Sequence, residues 1–281
     1  MTDKQRIAAV QMVSGPTVPE NLAVAGDLIA QAVARGAGLV VLPEYFAILG
    51  LRDEDKVAVR EREGTGAIQD FLAATARQHG IWLVGGSAPL ACDDPGRVRN
   101  SSLVYDEGGR RVARYDKIHL FGFDNGAERY QESRTIEPGA AVQVLDTPFG
   151  RMGLSICYDL RFPELYRAMQ PVDLILAPSA FTATTGRAHW ETLLRARAIE
   201  NLAYVLAAAQ GGLHANGRET HGDSMIVDPW GAVIDRLPKG PGVVVADMDL
   251  AFLRRMRANL PALEHRTLGR EPAPSNCRDE G

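Results

Sequence analysis

Cysteine is scarce in these 281 residues: Cys92, Cys157 and Cys277 are the whole complement, odd in number and widely spaced. No CxxC pair occurs, which argues against a disulfide framework or a cysteine zinc site and fits a reducing compartment, the cytoplasm by default. The histidines show neither HxH nor HExxH spacing, so no metal is expected, and no cofactor either. No apolar run approaches the roughly 20 residues that span a bilayer, and the polar start 1–6 has no signal-peptide pattern. Net charge is only −4. That is too mild to suggest nucleic acid or a membrane surface as partner.

What is present suits a soluble globule. The chain is 46% hydrophobic and 23% charged, enough apolar material for a sizeable core. Apolar runs at 7–13, 39–42, 81–84, 173–177 and 203–209 read as strands, and Glu107-Gly108-Gly109 marks a hairpin between 100–105 and 110–115. Helical spacing predicts helices over 20–35, 67–79, from 163, 188–201 and 249–259. A Gly- and Asn-rich loop is expected over 121–139. Strand–helix alternation near each end, with hairpins between, gives mixed sheets covered by helices. One α/β domain over 1–260 is expected, with 261–281 as a C-terminal arm that crosses a dimer partner or stays disordered.

Cys157 sits where chemistry is available. Met152, Leu154 and Ile156 alternate with small residues as in a half-buried strand, and Asp159 and Pro163 open a helix. Unpaired N–H groups at such a junction stabilise a thiolate and can hold an oxyanion. A lowered thiol pKa is therefore expected, with Cys157 alkylated at roughly pH 6–7 ahead of Cys92 and Cys277. A buried structural thiol is the plain alternative. Glu44 and Lys117 likewise follow apolar runs at turns, where ligands of α/β sheets bind. A buried glutamate is a competent base, and a lysine ammonium stabilises a developing oxyanion. Glu, Lys and Cys suffice for acyl transfer without histidine. Taken singly, Glu44 reads more readily as a helix-start or loop carboxylate than as a base, and Lys117 as a solvated lysine.

Three ordered segments decide between these readings: Leu39-Val40-Val41-Leu42-Pro43-Glu44, Tyr115-Asp116-Lys117-Ile118-His119-Leu120, and Gly153-Leu154-Ser155-Ile156-Cys157-Tyr158-Asp159. The chain resembles the nitrilase superfamily of carbon–nitrogen hydrolases. Segments 181–190, 195–201 and 224–231 are similar to its branch of deaminated glutathione amidase and ω-amidase. The resemblance implies a four-layer α-β-β-α sandwich of two mixed sheets and a homodimer or higher homo-oligomer. It also implies a small-molecule amide substrate carrying a carboxylate, cleaved with release of ammonia through a thioester on Cys157. Glu44 would be the base, Lys117 and the Tyr158 backbone N–H the oxyanion donors. A second glutamate is implied between lysine and cysteine; Glu132 fits best, ahead of Glu128 and Glu137. Arg161 matches a carboxylate-holding position, with a surface or interface arginine as the alternative, and Phe181 and Thr182 would line the pocket. Trp190 reads as packing. His221 and Asp223 depart from the branch pattern, where an aromatic and a histidine are commoner. Deaminated glutathione is the preferred substrate; 2-oxoglutaramate-like amides, N-carbamoyl amino acids and a non-catalytic scaffold are the alternatives.

Overall fold

Strand β1 (Lys4–Gln11) sets the layering. Ile7 and Ala9 point to one face and Ala8 and Val10 to the other, the twofold repeat of a strand, and all four are fully buried. A strand buried on both faces must lie inside a sheet that is itself covered on both sides. The computed structural model describes residues 4–126 and 128–268. Cys277, and all of the expected arm beyond 268, lie outside the described residues.

After β1 come β2 (Leu39–Val41), β3 (Trp82–Val84), β4 (Ala88–Ala91), β5 (Val98–Tyr105) and β6 (Arg111–Asp116). A hairpin follows, β7 (Gly122–Asp124) and β8 (Arg129–Gln131). Next are β9 (Val144–Thr147), β10 (Gly150–Leu154), β11 (Leu174–Leu176), β12 (Tyr204–Ala207), β13 (Ser224–Val227), β14 (Val233–Leu237) and β15 (Gly242–Asp249). One sheet runs β15-β1-β2-β3-β5-β4, with β6 paired to β5; the other runs β14-β13-β12-β11-β10-β9. Each contains a parallel trio. In the first, Ala8 is level with Val40 and Val40 with Leu83; in the second, Gly153 is level with Ile175 and Ile175 with Val205.

The helices are α1 (Val18–Ala34), α2 (Asp55–Ala58), α3 (Ala67–His79), α4 (Pro163–Ala168), α5 (Ala183–Asn201) and α6 (Leu250–Asn259). Leu28 and Ile29 of α1 and Ile68 and Leu72 of α3 share one apolar cluster with Ala8, Val10 and Val40. Ile7, Ala9, Leu39 and Val41 belong instead to a larger cluster with both the second sheet (Leu154, Leu176, Val205) and its helices (Tyr166, Trp190, Leu194). The architecture is therefore α-β-β-α, with two mixed sheets face to face. Among the described residues no helix is long and apolar enough to cross a membrane.

Local readings shift in two places. Helix α5 begins at Ala183, five residues before the expected start, because Thr182 caps it: its Oγ1 accepts from Thr185 N–H at 3.2 Å. Gly186 hides this start by its low helix propensity. It is needed because a Cβ there would lie 2.2 Å from His221. The stretch 121–139, expected as loop, holds the β7–β8 hairpin and a 3₁₀ turn, Glu132–Arg134.

Candidate active site

Glu44 lies just past the end of β2, in a turn held from several sides. Gly86 passes directly beneath it, and a Cβ on Gly86 would sit 2.0 Å from the Pro43 carbonyl oxygen. Tyr45 adopts φ +58 and donates its N–H to Ser87 Oγ at 3.0 Å. Gln210, beyond β12 of the other sheet, donates to the Glu44 carbonyl oxygen at 3.0 Å. The carboxylate is buried and accepts from Asn100 Nδ2 at 3.0 Å.

Lys117 continues β6, and its side chain falls on the same face as Tyr115 by strand alternation. Its ammonium is fully buried, 2.8 Å from Glu44 Oε1 and 2.9 and 2.8 Å from the two oxygens of Glu132. Burial works against this cation, but Glu132 and Glu44 outweigh it and hold its pKa well above that of an ordinary lysine. Glu132 opens the 3₁₀ turn and also accepts from Tyr45 OH at 2.8 Å and Phe121 N–H at 2.7 Å. Burial alone would push this carboxyl up. Lys117 and these donors win, leaving it below the usual carboxylate range. The rivals lie elsewhere: Glu137 pairs with Arg99, and Glu128 accepts from Thr184 Oγ1 at 2.8 Å.

Cys157 starts a 3₁₀ turn, Cys157–Arg161, rather than running straight into the helix, which begins at Pro163. It has φ +51, a conformation that costs a residue with a Cβ about 1–2 kcal/mol. Its N–H is used, donating to Pro178 O at 3.0 Å, and Asp159 N–H donates to Ile156 O at 3.1 Å. Tyr158 N–H, between them, has no acceptor among the described residues. The expectation of a lowered thiol pKa is overturned. Burial first, then the Glu44 charge, push the Cys157 thiol well above its ordinary value, with Lys117 opposing and Glu132 adding to the rise. The physical reason is charge count: two carboxylates and one ammonium already surround the sulfur, and a thiolate would be a third anion. The thiol rests protonated, beside a base.

Glu44, Glu132, Cys157, Tyr158, Arg161, Phe181 and Thr182 all line one cavity, whereas Lys117 lies fully buried behind its wall. Arg161 contacts His189 Nδ1 through both terminal nitrogens at 3.3 Å and lies over the rings of Tyr158 and Phe181. It has no carboxylate partner among the described residues. Phe181 rests against Trp190, whose Nε1 donates to Asp223 O at 2.7 Å, so Trp190 is packing as expected. Thr182 reaches the cavity wall, but its hydroxyl is committed to Thr185. Among the described residues no group of three or more His, Cys, Asp or Glu side chains could hold a metal.

Several residues escaped the sequence reading. Asp159 is fully buried and accepts from four donors: Tyr115 OH (2.7 Å), His119 N–H (3.1 Å), Ile156 N–H (2.8 Å) and, at 2.7 Å, His119 Nδ1. It ties the segment carrying Lys117 to the turn carrying Cys157. Its place two residues after the cysteine was the available signal. Tyr45 and Asn100 orient the two glutamates, and Arg218 lines the same cavity.

A base and a thiol that line one cavity, with an ammonium paired to that base behind the wall, can transfer an acyl group from an amide. Residues 6–258 match the profile of the carbon–nitrogen hydrolases. The chain belongs to the carbon–nitrogen hydrolase family. This carbon–nitrogen hydrolase is 41% identical to the deaminated glutathione amidase of Synechocystis sp. over 265 residues, 92% of this chain and 97% of the relative. Its fold is similar to Saccharomyces cerevisiae Nit3, a member of branch 10 of the nitrilase superfamily. The TM-score is 0.83 and the identity 30%, covering 92% of this chain and 94% of that one. It is also similar to an amidase from Nesterenkonia sp. AN1 in which acrylamide has added to the active site cysteine. There the TM-score is 0.77 and the identity 30%, covering 92% of this chain and 99% of that one. The chain is thus a carbon–nitrogen hydrolase of the nitrilase superfamily, an amidase similar to proteins named deaminated glutathione amidase.

Proposed function

We propose that this enzyme hydrolyses a small carboxylate-bearing amide of the deaminated glutathione type through a thioester on Cys157. The observation that carries this reading is the Lys117 ammonium held between Glu44 and Glu132, the two carboxylates that line the same cavity as Cys157. Glu44 takes the thiol proton as the sulfur attacks the amide carbon, so net charge in the buried site is unchanged by the transfer. The carbonyl oxygen gains the negative charge and is met by Lys117 and the Tyr158 N–H. As the C–N bond breaks, Glu44 returns its proton to the nitrogen, releasing ammonia from a primary amide or an amine from a peptide-like one. Glu44 then deprotonates the water that attacks the thioester, freeing the acid and restoring the thiol. Glu132 fixes the position of Lys117, and Arg161 holds a carboxylate on the acyl half.

The test is product release from deaminated glutathione, 2-oxoglutaramate and N-carbamoyl amino acids. Deaminated glutathione should turn over fastest, and Cys157→Ala should remove all turnover while the protein stays folded. Retained turnover in Cys157→Ala, or no hydrolysis of any of the three by wild type, contradicts the reading.

We further take 1–260 as one catalytic unit that works in the cytoplasm as a homodimer or higher homo-oligomer. Support for association comes from Ile199 of α5 and Trp230, which expose 48% and 58% of their surface side by side across Gly231. Light scattering at the monomer mass of 30.4 kDa would refute the dimer.

A further inference from the structure

Glu44 and Cys157 act as a pair but stand on turns from different sheets, so the gap between those turns has to be set by something that touches both. The apolar run of β12 ends on Gln210, a side-chain amide with no exposed surface. Burying an amide is costly unless its N–H and C=O groups are all used. Here they are. Nε2 donates to the Glu44 carbonyl oxygen at 3.0 Å and to Ser14 Oγ at 2.7 Å, and Oε1 accepts from Ser14 N–H at 3.0 Å. Ser14 Oγ in turn donates to Phe46 O at 3.0 Å. The carbonyls of the residues on either side of Tyr45 are thus held by one Ser14–Gln210 unit.

Tyr45 is the residue that needs holding. Its φ of +58 is left-handed, and such a conformation persists only where the surroundings over-determine it. It follows the base directly, and its own hydroxyl donates to Glu132. The same unit reaches the other turn. Gln210 N–H donates to Ser179 O at 2.9 Å, one residue beyond Pro178, whose oxygen accepts from the Cys157 N–H at 3.0 Å. Gly211 N–H donates to Met12 O at 2.8 Å, which joins the chain just past β12 to the chain just past β1. His214 anchors the far side: its Nδ1 lies 2.9 Å from Ser14 O, which can only accept, so the proton sits on Nδ1.

We propose that Gln210 is a positioning residue for the amidase reaction: with Ser14 it fixes the Glu44 carboxylate at its working distance from the Cys157 sulfur, across the two sheets. This rests on Glu44 being the base. Asp159 aligns the Lys117 segment with the Cys157 turn; Gln210 aligns the Glu44 turn with it.

The experiment replaces Gln210 by methionine, which keeps an unbranched side chain of similar length and removes its hydrogen bonds. A misplacement of about 1 Å costs on the order of 10²-fold in rate. In Gln210→Met, kcat on whichever of the three amides wild type cleaves fastest should fall about 10- to 100-fold while KM stays within about twofold. Ser14→Ala, which keeps the N–H to Gln210 Oε1, should lose about three- to tenfold. The double variant should lose less than the product of the two. A second readout needs no substrate. Glu44 freed from its anchor moves away from the sulfur, so the thiolate absorbance of Gln210→Met should appear at lower pH than in wild type, the direction expected for Glu44→Gln. A residue that only supports the fold would lower the melting temperature and move neither readout. A folded Gln210→Met with kcat within about threefold of wild type overturns the proposal. So does a loss carried by KM, an unmoved thiolate onset, or a double variant that loses the full product. If Gln210→Met does not fold, Ser14→Ala decides on kcat, KM and thiolate onset. Turnover retained in Glu44→Gln would count against the base itself, and measuring that variant alongside keeps the two failures apart.

Discussion

The two sheets contribute unequally finished halves to the site. The half from the first sheet and the hairpin behind it is closed: Glu44, Lys117 and Glu132 form a buried ion network in which Asn100 adds a second donor to the Glu44 oxygen that Lys117 holds, and Tyr45 OH and the Phe121 N–H add one more to each Glu132 oxygen. The half from the second sheet is open. Cys157 is held in a left-handed conformation, its thiol is protonated, Tyr158 N–H has no acceptor and Arg161 has no counter-ion. A closed network fixes charges before substrate arrives, which is what electrostatic preorganisation requires. The open half is the one a substrate completes. Asp159 joins the two, since its oxygens are shared between Tyr115 and His119 on one side and Ile156 on the other.

The largest effect should come from breaking the closed half at its proton carrier. Glu44→Gln keeps the hydrogen bond from Asn100 but removes the base, and kcat should fall by about 10³- to 10⁴-fold. The melting temperature checks that the fold survives. A loss under tenfold would mean that another group takes the Cys157 proton.

Asp159→Asn should come next. An amide cannot accept from all four donors, so the halves lose register. We expect kcat to fall by about 10- to 100-fold with KM little changed, and stability by about 1–3 kcal/mol. Loss of stability with kcat intact would leave Asp159 a purely structural residue.

The smallest effect is a spectroscopic one, on the open half alone. Because burial and the Glu44 charge raise the Cys157 thiol, its thiolate absorbance, read as wild type minus Cys157→Ala, should be missing below about pH 8 and appear only above the ordinary thiol range. In Glu44→Gln the onset should move to lower pH, since one anion has gone. Thiolate signal at neutral pH in wild type would contradict the charge count drawn above.

The closed half was the more legible in sequence. Glu44 and Lys117 stand in segments whose order and residue types are specific, and the resemblance to the nitrilase superfamily implies a second glutamate between Lys117 and Cys157 that Glu132 fits best. The apolar run at 7–13 reads as a buried strand and 7–10 is buried on both faces, whereas the alternation at 152–156 reads as half-buried and all five residues are buried. What the sequence hid was contact between distant residues. Asn100 and Glu44 are 56 positions apart, and Asp159 and Tyr115 are 44. Neither pairing has a local signature. The thiol was misjudged for the same reason. Its neighbours in the chain are backbone N–H groups that favour a thiolate, but its neighbours in space are two carboxylates, and one N–H is already spent on Pro178. Arg218 sits in an unremarkable loop, and no local pattern marks it as a residue that lines the cavity.

Covalent attachment to the sulfur is the claim on which the rest stands, and mass spectrometry reads it directly. Wild-type enzyme quenched in acid during turnover and digested with trypsin should carry the acyl mass of its substrate on the peptide 152–161, which contains Cys157. Hydroxylamine should remove that mass, as it does from a thioester. Steady hydrolysis with no acyl mass on this peptide, and hydrolysis undiminished in Cys157→Ala, would contradict a cysteine nucleophile.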